Sequence, residues 1–183
     1  MATGTSMSVR TLAHALGGAV FLASLALTGC AGRSSVTQPA AEVAVRIVPF
    51  RVGDGSGDDI VMDRHGRLER ARTGEALGIL RHDGRFLDDG GDLRFTLRPD
   101  GSIVRDDGTA LPVALTTEAT LRHRGAELEV RIRDDGAVVG VDSTLPGAVS
   151  EEVFAHVEVE GDLAAARRAV LFTLAVADEL MGE

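Results

Sequence analysis

The chain has 183 residues, with 19 basic and 28 acidic side chains, and a formal net charge of −9. All the basic residues are arginine, and the chain has one cysteine, no tryptophan and no tyrosine. Nucleic-acid binding needs a concentrated basic footprint, so the acidic balance argues against a nucleic-acid partner and against adhesion to anionic lipid. Without lysine, tyrosine or a second thiol, Schiff-base chemistry, phosphate-loop lysines and tyrosine acids are also excluded.

The first thirty residues have the organisation of an export signal. Arg10 is the one charged residue before Cys30, and it precedes an apolar run over Thr11–Leu27. A membrane-spanning helix needs about 20 strongly apolar residues, whereas this run is shorter and contains two glycines. We therefore predict that residues 1–29 are a cleaved signal peptide.

The apolar run ends in Leu27, Thr28, Gly29 and Cys30, and this tetrapeptide resembles the lipobox of bacterial lipoproteins. In that family the cysteine is lipidated and the signal is removed before it. The resemblance implies a lipid attachment at Cys30 and a membrane partner, because two or three acyl chains anchor a protein firmly. An Asp after the cysteine retains such proteins in the inner membrane of enteric bacteria; Ala31 stands here, which implies the outer membrane. The alternatives are an ordinary cleaved signal and an uncleaved anchor.

Removing residues 1–29 of the 183 leaves 154, about the size of one domain. Residues 30–42 are small, polar and Pro-containing, which is typical of a flexible tether. Residues 43–183 are predicted to form a single β-rich domain. Its first strand is predicted over Val43–Val52, where β-branched residues dominate and Pro49 marks an edge or a bulge.

From Ile60 to about Asp142, short runs of alternating apolar and polar residues are separated by turns, many of which contain Asp-Gly. Leu93, Phe95 and Leu97 give one such run, as expected for a strand with one buried face. Asp-Gly between such runs favours two-residue type I′ hairpins. The pattern predicts an antiparallel meander of seven to nine strands, mostly β or α+β in class, that can curl toward a barrel.

A last strand is predicted over Val153–Val159, followed by a helix over about 162–181 with Asp162 as its N-cap. Residues Ala169–Ala177 are apolar almost all round, which indicates burial rather than one packed face. The helix is therefore predicted to pack on the sheet as part of the core.

Three groups of residues could carry chemistry. The acidic loop Gly53–Asp59 has oxygens at alternating positions, as in the start of a calcium loop, but it lacks the later glycine and glutamate. His65, His82 and His123 each follow an arginine near a glycine and could hold zinc or copper if they converge. Paired carboxylates that could serve hydrolysis lie in turns, where Asp is favoured anyway; they are Asp88–Asp89, Asp106–Asp107 and Asp134–Asp135.

None of these groups forms a recognisable catalytic constellation, so the sequence favours a non-enzyme without a cofactor. We expect an envelope lipoprotein that acts as a structural or interaction module, or that carries a small apolar ligand. Its partners would be the membrane and an envelope protein or such a ligand. The alternatives are a metal-binding protein that uses the three histidines, and a hydrolase of unrecognised type.

Overall fold

The computed structural model describes residues 45–125, 128–142 and 150–181. These residues form twelve strands and one helix. The strands are β1 (Phe50–Gly53), β2 (Ile60–Met62), β3 (Arg67–Arg70), β4 (Ala76–Leu80), β5 (Arg85–Leu87), β6 (Leu93–Leu97), β7 (Ser102–Arg105), β8 (Ala110–Leu115), β9 (Leu121–His123), β10 (Leu128–Ile132), β11 (Ala137–Asp142) and β12 (Ser150–Val159). The helix is α1 (Leu163–Met181).

The strands form a closed antiparallel barrel in which each strand pairs with its neighbour in sequence. β1 closes the barrel against β12, with Phe50 opposite Val159 and Val52 opposite Val157. The predicted meander is therefore confirmed, and it closes completely. It has twelve strands instead of seven to nine because β2, β5 and β9 have only three residues each, too few to show an alternating pattern.

The hairpin loops of such a meander alternate between the two ends of the barrel. We call the end where β1 begins the entry end; the β2–β3, β4–β5, β6–β7, β8–β9 and β10–β11 loops lie there. The opposite end, with the β1–β2, β3–β4, β5–β6, β7–β8 and β9–β10 loops, is the far end.

The chain enters the barrel along the β4–β5 loop. Val45 N–H donates to His82 O at 2.9 Å, and His82 Nδ1 donates to Val45 O at 3.1 Å. Val45 is 1% exposed and belongs to the core. The predicted first strand was too long, because the strand begins only at Phe50. Pro49 has no N–H to give to a ladder, and the residues before it are held by this loop.

Type I′ turns were predicted at the Asp-Gly pairs, but the structure has a different turn there. In the β6–β7 loop, Gly101 N–H donates to Arg98 O at 2.9 Å and Arg98 N–H donates to Ser102 O at 2.8 Å. Gly101 has a φ of 82°, and Ala119 is the only non-glycine with a positive φ among the described residues. This is a type I turn followed by a glycine bulge, in which only the glycine needs a positive φ. The aspartate therefore stays in an ordinary conformation.

Helix α1 is enclosed by the barrel. Its N-cap is Asp162, as predicted, since Asp162 Oδ1 accepts the N–H of Ala164 at 2.9 Å. The five consecutive residues Ala169–Thr173 are each at most 1% exposed. Five residues cover every face of a helix with 3.6 residues per turn, so protein surrounds α1 on all sides there.

The contacts of α1 with loops and strand ends show its direction. Near its start, Arg168 Nη1 donates to Thr116 O in the β8–β9 loop at the entry end, at 3.2 Å. Near its finish, Glu179 pairs with Arg105 at the far end of β7, at 2.6 Å. The helix therefore runs through the interior of the barrel from the entry end to the far end.

Candidate functional site

The barrel interior is occupied by the chain itself. α1 packs against β1, β8, β9, β10 and β12, and its apolar side chains share one core with the inward-facing aliphatic and Phe side chains of the barrel. The largest fully buried side chains include Phe86, Phe172, Met62, Leu68 and Leu80. Among the described residues, two interior polar groups have no hydrogen-bond partner: both ring nitrogens of His123, and Thr173 Oγ1. The interior thus resembles a packed core more than a ligand-binding cavity.

The three candidate metal histidines do not come together. His65 and His82 lie in the β2–β3 and β4–β5 loops at the entry end, whereas His123 ends β9 toward the far end. Within the parts of the chain that the structure describes, no three His, Cys, Asp or Glu residues are grouped to hold a metal ion. His82 is engaged instead with Val45, and His65 Nε2 accepts from Arg64 Nε at 3.2 Å. The three histidines therefore do not share one site in this part of the chain.

The acidic β1–β2 loop is bound by protein groups. Asp59, 4% exposed, accepts from Arg51 Nε at 2.7 Å, and Asp58 pairs with Arg72 at 3.7 Å. Asp54 Oδ1 accepts the N–H of Ser56 at 2.8 Å. The Ser56 side chain and N–H both donate to this carboxylate and lower its pKa. These carboxylates hold the loop in shape, and they are not arranged around a common centre.

The paired carboxylates of the Asp-Asp-Gly turns also serve the turns. Asp107 Oδ1 accepts the N–H of Thr109 at 2.7 Å, and Asp135 Oδ1 accepts the N–H of Ala137 at 3.1 Å. These backbone hydrogen bonds are the main reason that the pKa of each carboxyl is lowered. A general acid needs a raised pKa, so the electrostatics oppose that role for these two groups.

The far end has a cleft of about 590 Å³ next to the last turns of α1. Its lining combines a small apolar floor with charged walls: Asp88, Asp92, Leu93, Arg94, Phe95, Arg105, Asp106 and Glu179. Arg94 pairs with Asp88 at 3.8 Å, and Arg105 pairs with Glu179. The cleft therefore joins the β5–β6 loop to the helix and carries more acidic than basic groups.

In contrast to the acidic far-end cleft, the entry end is basic on the side where the chain enters the barrel. Four exposed arginines without an ion pair among the described residues project from the incoming chain and from three consecutive loops. We call these residues the basic rim: Arg46, Arg64, Arg81 and Arg98. The other half of this end has a groove of about 500 Å³ in which Arg133 pairs with Asp135 and Arg167 pairs with Asp134.

The predicted lipid attachment at Cys30 and the lipobox residues Leu27, Thr28 and Gly29 lie outside the described residues. Among the residues that are described, no helix is long and apolar enough to cross a membrane. Comparisons with protein-family models, with curated proteins and with solved structures return no match.

Sequence reasoning missed both the far-end cleft and the basic rim. Each is built from charged residues that lie in separate loops along the chain. Only the alternation of hairpin ends assigns those loops to a common surface. The repeated Arg at the start of the loops, at Arg81 and Arg98, is the one signal that could have indicated the rim.

Proposed function

We propose that this chain is a lipid-anchored envelope protein whose barrel serves as a non-enzymatic interaction or structural module. The observation that carries the module assignment is the helix inside the barrel. Because α1 occupies the interior, the surfaces open to a partner are the two ends and the outer wall. The anchor rests on the lipobox-like sequence ending at Cys30 and on the export signal before it.

The packing of α1 argues against a carrier of a small apolar ligand. An eight-stranded barrel can hold one small ligand, and twelve strands would leave a wider lumen. Here Ala169, Val170, Leu171 and Phe172 fill that space, each with 0% exposure. A ligand of useful size would have to displace the helix, and with it the Arg168 and Glu179 contacts at the two ends.

The envelope anchor is tested by replacing Cys30 with Ala in the full chain. Wild type should incorporate a radioactive or alkyne-tagged fatty acid, partition into the detergent phase and fractionate with membranes. Cys30→Ala should lose all three properties. A second variant, Thr28→Ala, keeps the cysteine and controls for general disturbance of the signal. Equal fatty-acid labelling of wild type and Cys30→Ala would refute the anchor.

The module assignment is tested separately by crosslinking in the cell. A photoreactive residue at Asp92 in the far-end cleft and one at Val153 on the outer wall, where the side chain is 47% exposed, compare two surfaces of the same barrel. Reproducible adducts with one envelope protein from either position support an interaction module. Turnover of an envelope metabolite by the purified chain would instead revive the enzyme alternative.

A further inference from the structure

The basic rim is a continuous surface, because hydrogen bonds join the loops that carry it. Leu80 N–H donates to Gly66 O at 2.8 Å and connects the β4–β5 loop to the β2–β3 loop. Leu97 N–H donates to Gly84 O at 2.9 Å and connects the β6–β7 hairpin to the β4–β5 loop in the same way. The three loops that carry Arg64, Arg81 and Arg98 are therefore held side by side.

The incoming chain completes this surface. Val45 is bonded to His82 in the β4–β5 loop, and a Cβ placed at Gly66 in the β2–β3 loop would lie 3.5 Å from Ile47 Cδ1. Arg46 lies between these two residues in the chain, so its backbone passes between the loops of Arg64 and Arg81. The rim thus surrounds the point where the chain leaves the barrel toward Cys30.

The acidic side chains of these loops are already engaged. Asp63 Oδ1 accepts the N–H of His65 at 2.7 Å, and Asp100 Oδ1 accepts the Ser102 hydroxyl at 2.6 Å. Asp83 pairs with Arg85 at 3.7 Å. With Arg85 counted, and with Arg67 and Asp89, which pair at 3.5 Å where β3 begins, six arginines face four carboxylates, so the rim is locally positive although the chain is acidic overall.

The far end has the opposite charge. Its loops and the end of α1 carry many carboxylates: Asp54, Asp58, Asp88, Asp92, Asp106, Asp107 and Glu179. The 19-residue helix that joins the two ends is about 28 Å long at 1.5 Å per residue. The Debye length at physiological ionic strength is about 8 Å. Salt therefore screens the repulsion between the far-end carboxylates and an anionic surface that touches the entry end.

We propose that the basic rim binds the anionic headgroups of the membrane in which Cys30 is anchored, so that the barrel stands with its entry end on the lipid and its acidic far end outward. This inference rests on the proposed lipid anchor. Residues 31–44 separate Cys30 from Val45, and fourteen extended residues reach at most about 50 Å. That length lets the barrel rest on the bilayer or stand away from it, so the rim charge decides between the two positions.

The test measures the orientation of the lipidated full chain in vesicles. A donor dye is attached to Pro99→Cys in the β6–β7 loop or to Ala71→Cys in the far-end β3–β4 loop, while Cys30 is blocked by its lipid. Acceptor-labelled headgroups report distance by energy transfer. Transfer from position 99 should be higher with a quarter phosphatidylglycerol than with phosphatidylcholine alone, and transfer from position 71 should not rise. About 0.5 M NaCl should remove the difference.

A triple variant with Arg46→Gln, Arg64→Gln and Arg81→Gln tests the rim itself. Each neutralised arginine should weaken the preference for the lipid-bound orientation about fivefold. The matched control is Arg72→Gln, which removes an arginine side chain that is 69% exposed from the far-end β3–β4 loop; it should change nothing.

Equal transfer from position 99 in both vesicle types, or an unchanged triple variant, overturns the rim proposal while leaving the anchor intact. Failure of the wild type to float with either vesicle refutes the anchor and the rim proposal that depends on it. Equal loss of transfer in Arg72→Gln would also overturn the rim proposal, because it would mean that total charge and not the rim sets the orientation.

Discussion

Two glycines with the same backbone conformation allow the turn geometry to be tested against the packing around it. Gly101 has a φ of 82° and Gly108 a φ of 83°, and each ends a hairpin loop. A Cβ at Gly108 would meet nothing within 4 Å, whereas a Cβ at Gly101 would overlap the carbonyl oxygen of Leu115. That oxygen belongs to the residue whose N–H donates to Gly101 O at 2.8 Å.

Gly108→Ala is destabilised only by the left-handed conformation, which costs about 1–2 kcal/mol, and part of this is offset by a less flexible unfolded chain. Gly101→Ala has the same conformational cost, and its new methyl group must also push β8 away. Overpacking adds about 1–3 kcal/mol, and weakening the Leu115 hydrogen bond adds about 1 kcal/mol. We therefore expect Gly101→Ala to lower the free energy of unfolding by about 2–4 kcal/mol more than Gly108→Ala does.

The assay is urea and thermal unfolding followed by far-ultraviolet circular dichroism, since the chain has no tryptophan or tyrosine for fluorescence. At about 2–4 °C per kcal/mol for a domain of this size, the two variants should differ in Tm by about 5–15 °C. Equal destabilisation of the two variants would refute the close approach of Gly101 to β8. It would leave only the shared φ as the reason for both glycines.

Two further predictions concern the core and the turn carboxylates. Phe172→Ala removes a side chain with 0% exposure from the helix inside the barrel, so it should cost about 3–5 kcal/mol of unfolding free energy; a loss below 1 kcal/mol in urea titrations would mean that α1 is not enclosed. The pKa of Asp100 is lowered because the Ser102 hydroxyl and N–H donate to it, so its stabilising effect is present above the unfolded pKa of about 3.9 and is lost as pH falls through the folded value. Ser102→Ala should raise the pKa of Asp100 toward its ordinary value in an NMR titration and flatten the acid limb of the stability curve, and an unchanged titration would contradict this assignment.

The fold class followed from the sequence because alternation is a local signal. Leu93, Phe95 and Leu97 mark β6 without any knowledge of its neighbours, and Asp162 marks the start of α1. The turn type could not be inferred in the same way. Asp-Gly is compatible with both the two-residue turn and the three-residue turn with a bulge, and the choice depends on the registers of the two strands.

The position of the helix was only partly predictable. The apolar run Ala169–Ala177 indicated burial on all sides, and the structure confirms it over Ala169–Thr173, whereas Leu174 and Ala175 are only partly buried. Whether such a helix lies between a sheet and another layer or inside a closed barrel depends on strand number. That number was underestimated, because strands such as Arg85–Leu87 are too short to recognise.

The charged surfaces were the least predictable features, because composition averages over both ends of the barrel. A net charge of −9 argued against adhesion to anionic lipid, yet the loops divide that charge so that the chain-entry side is locally basic. The same alternation of hairpin ends that closes the meander thus places Arg64, Arg81 and Arg98 at one end and most of the Asp-rich loops at the other, while Asp134 and Asp135 lie in the other half of the entry end. Twelve strands would leave a wide lumen, and α1 fills it. With the interior used for stability, selection for function can act on the loops at the two ends without disturbing the core, and it is there that the charge has been separated.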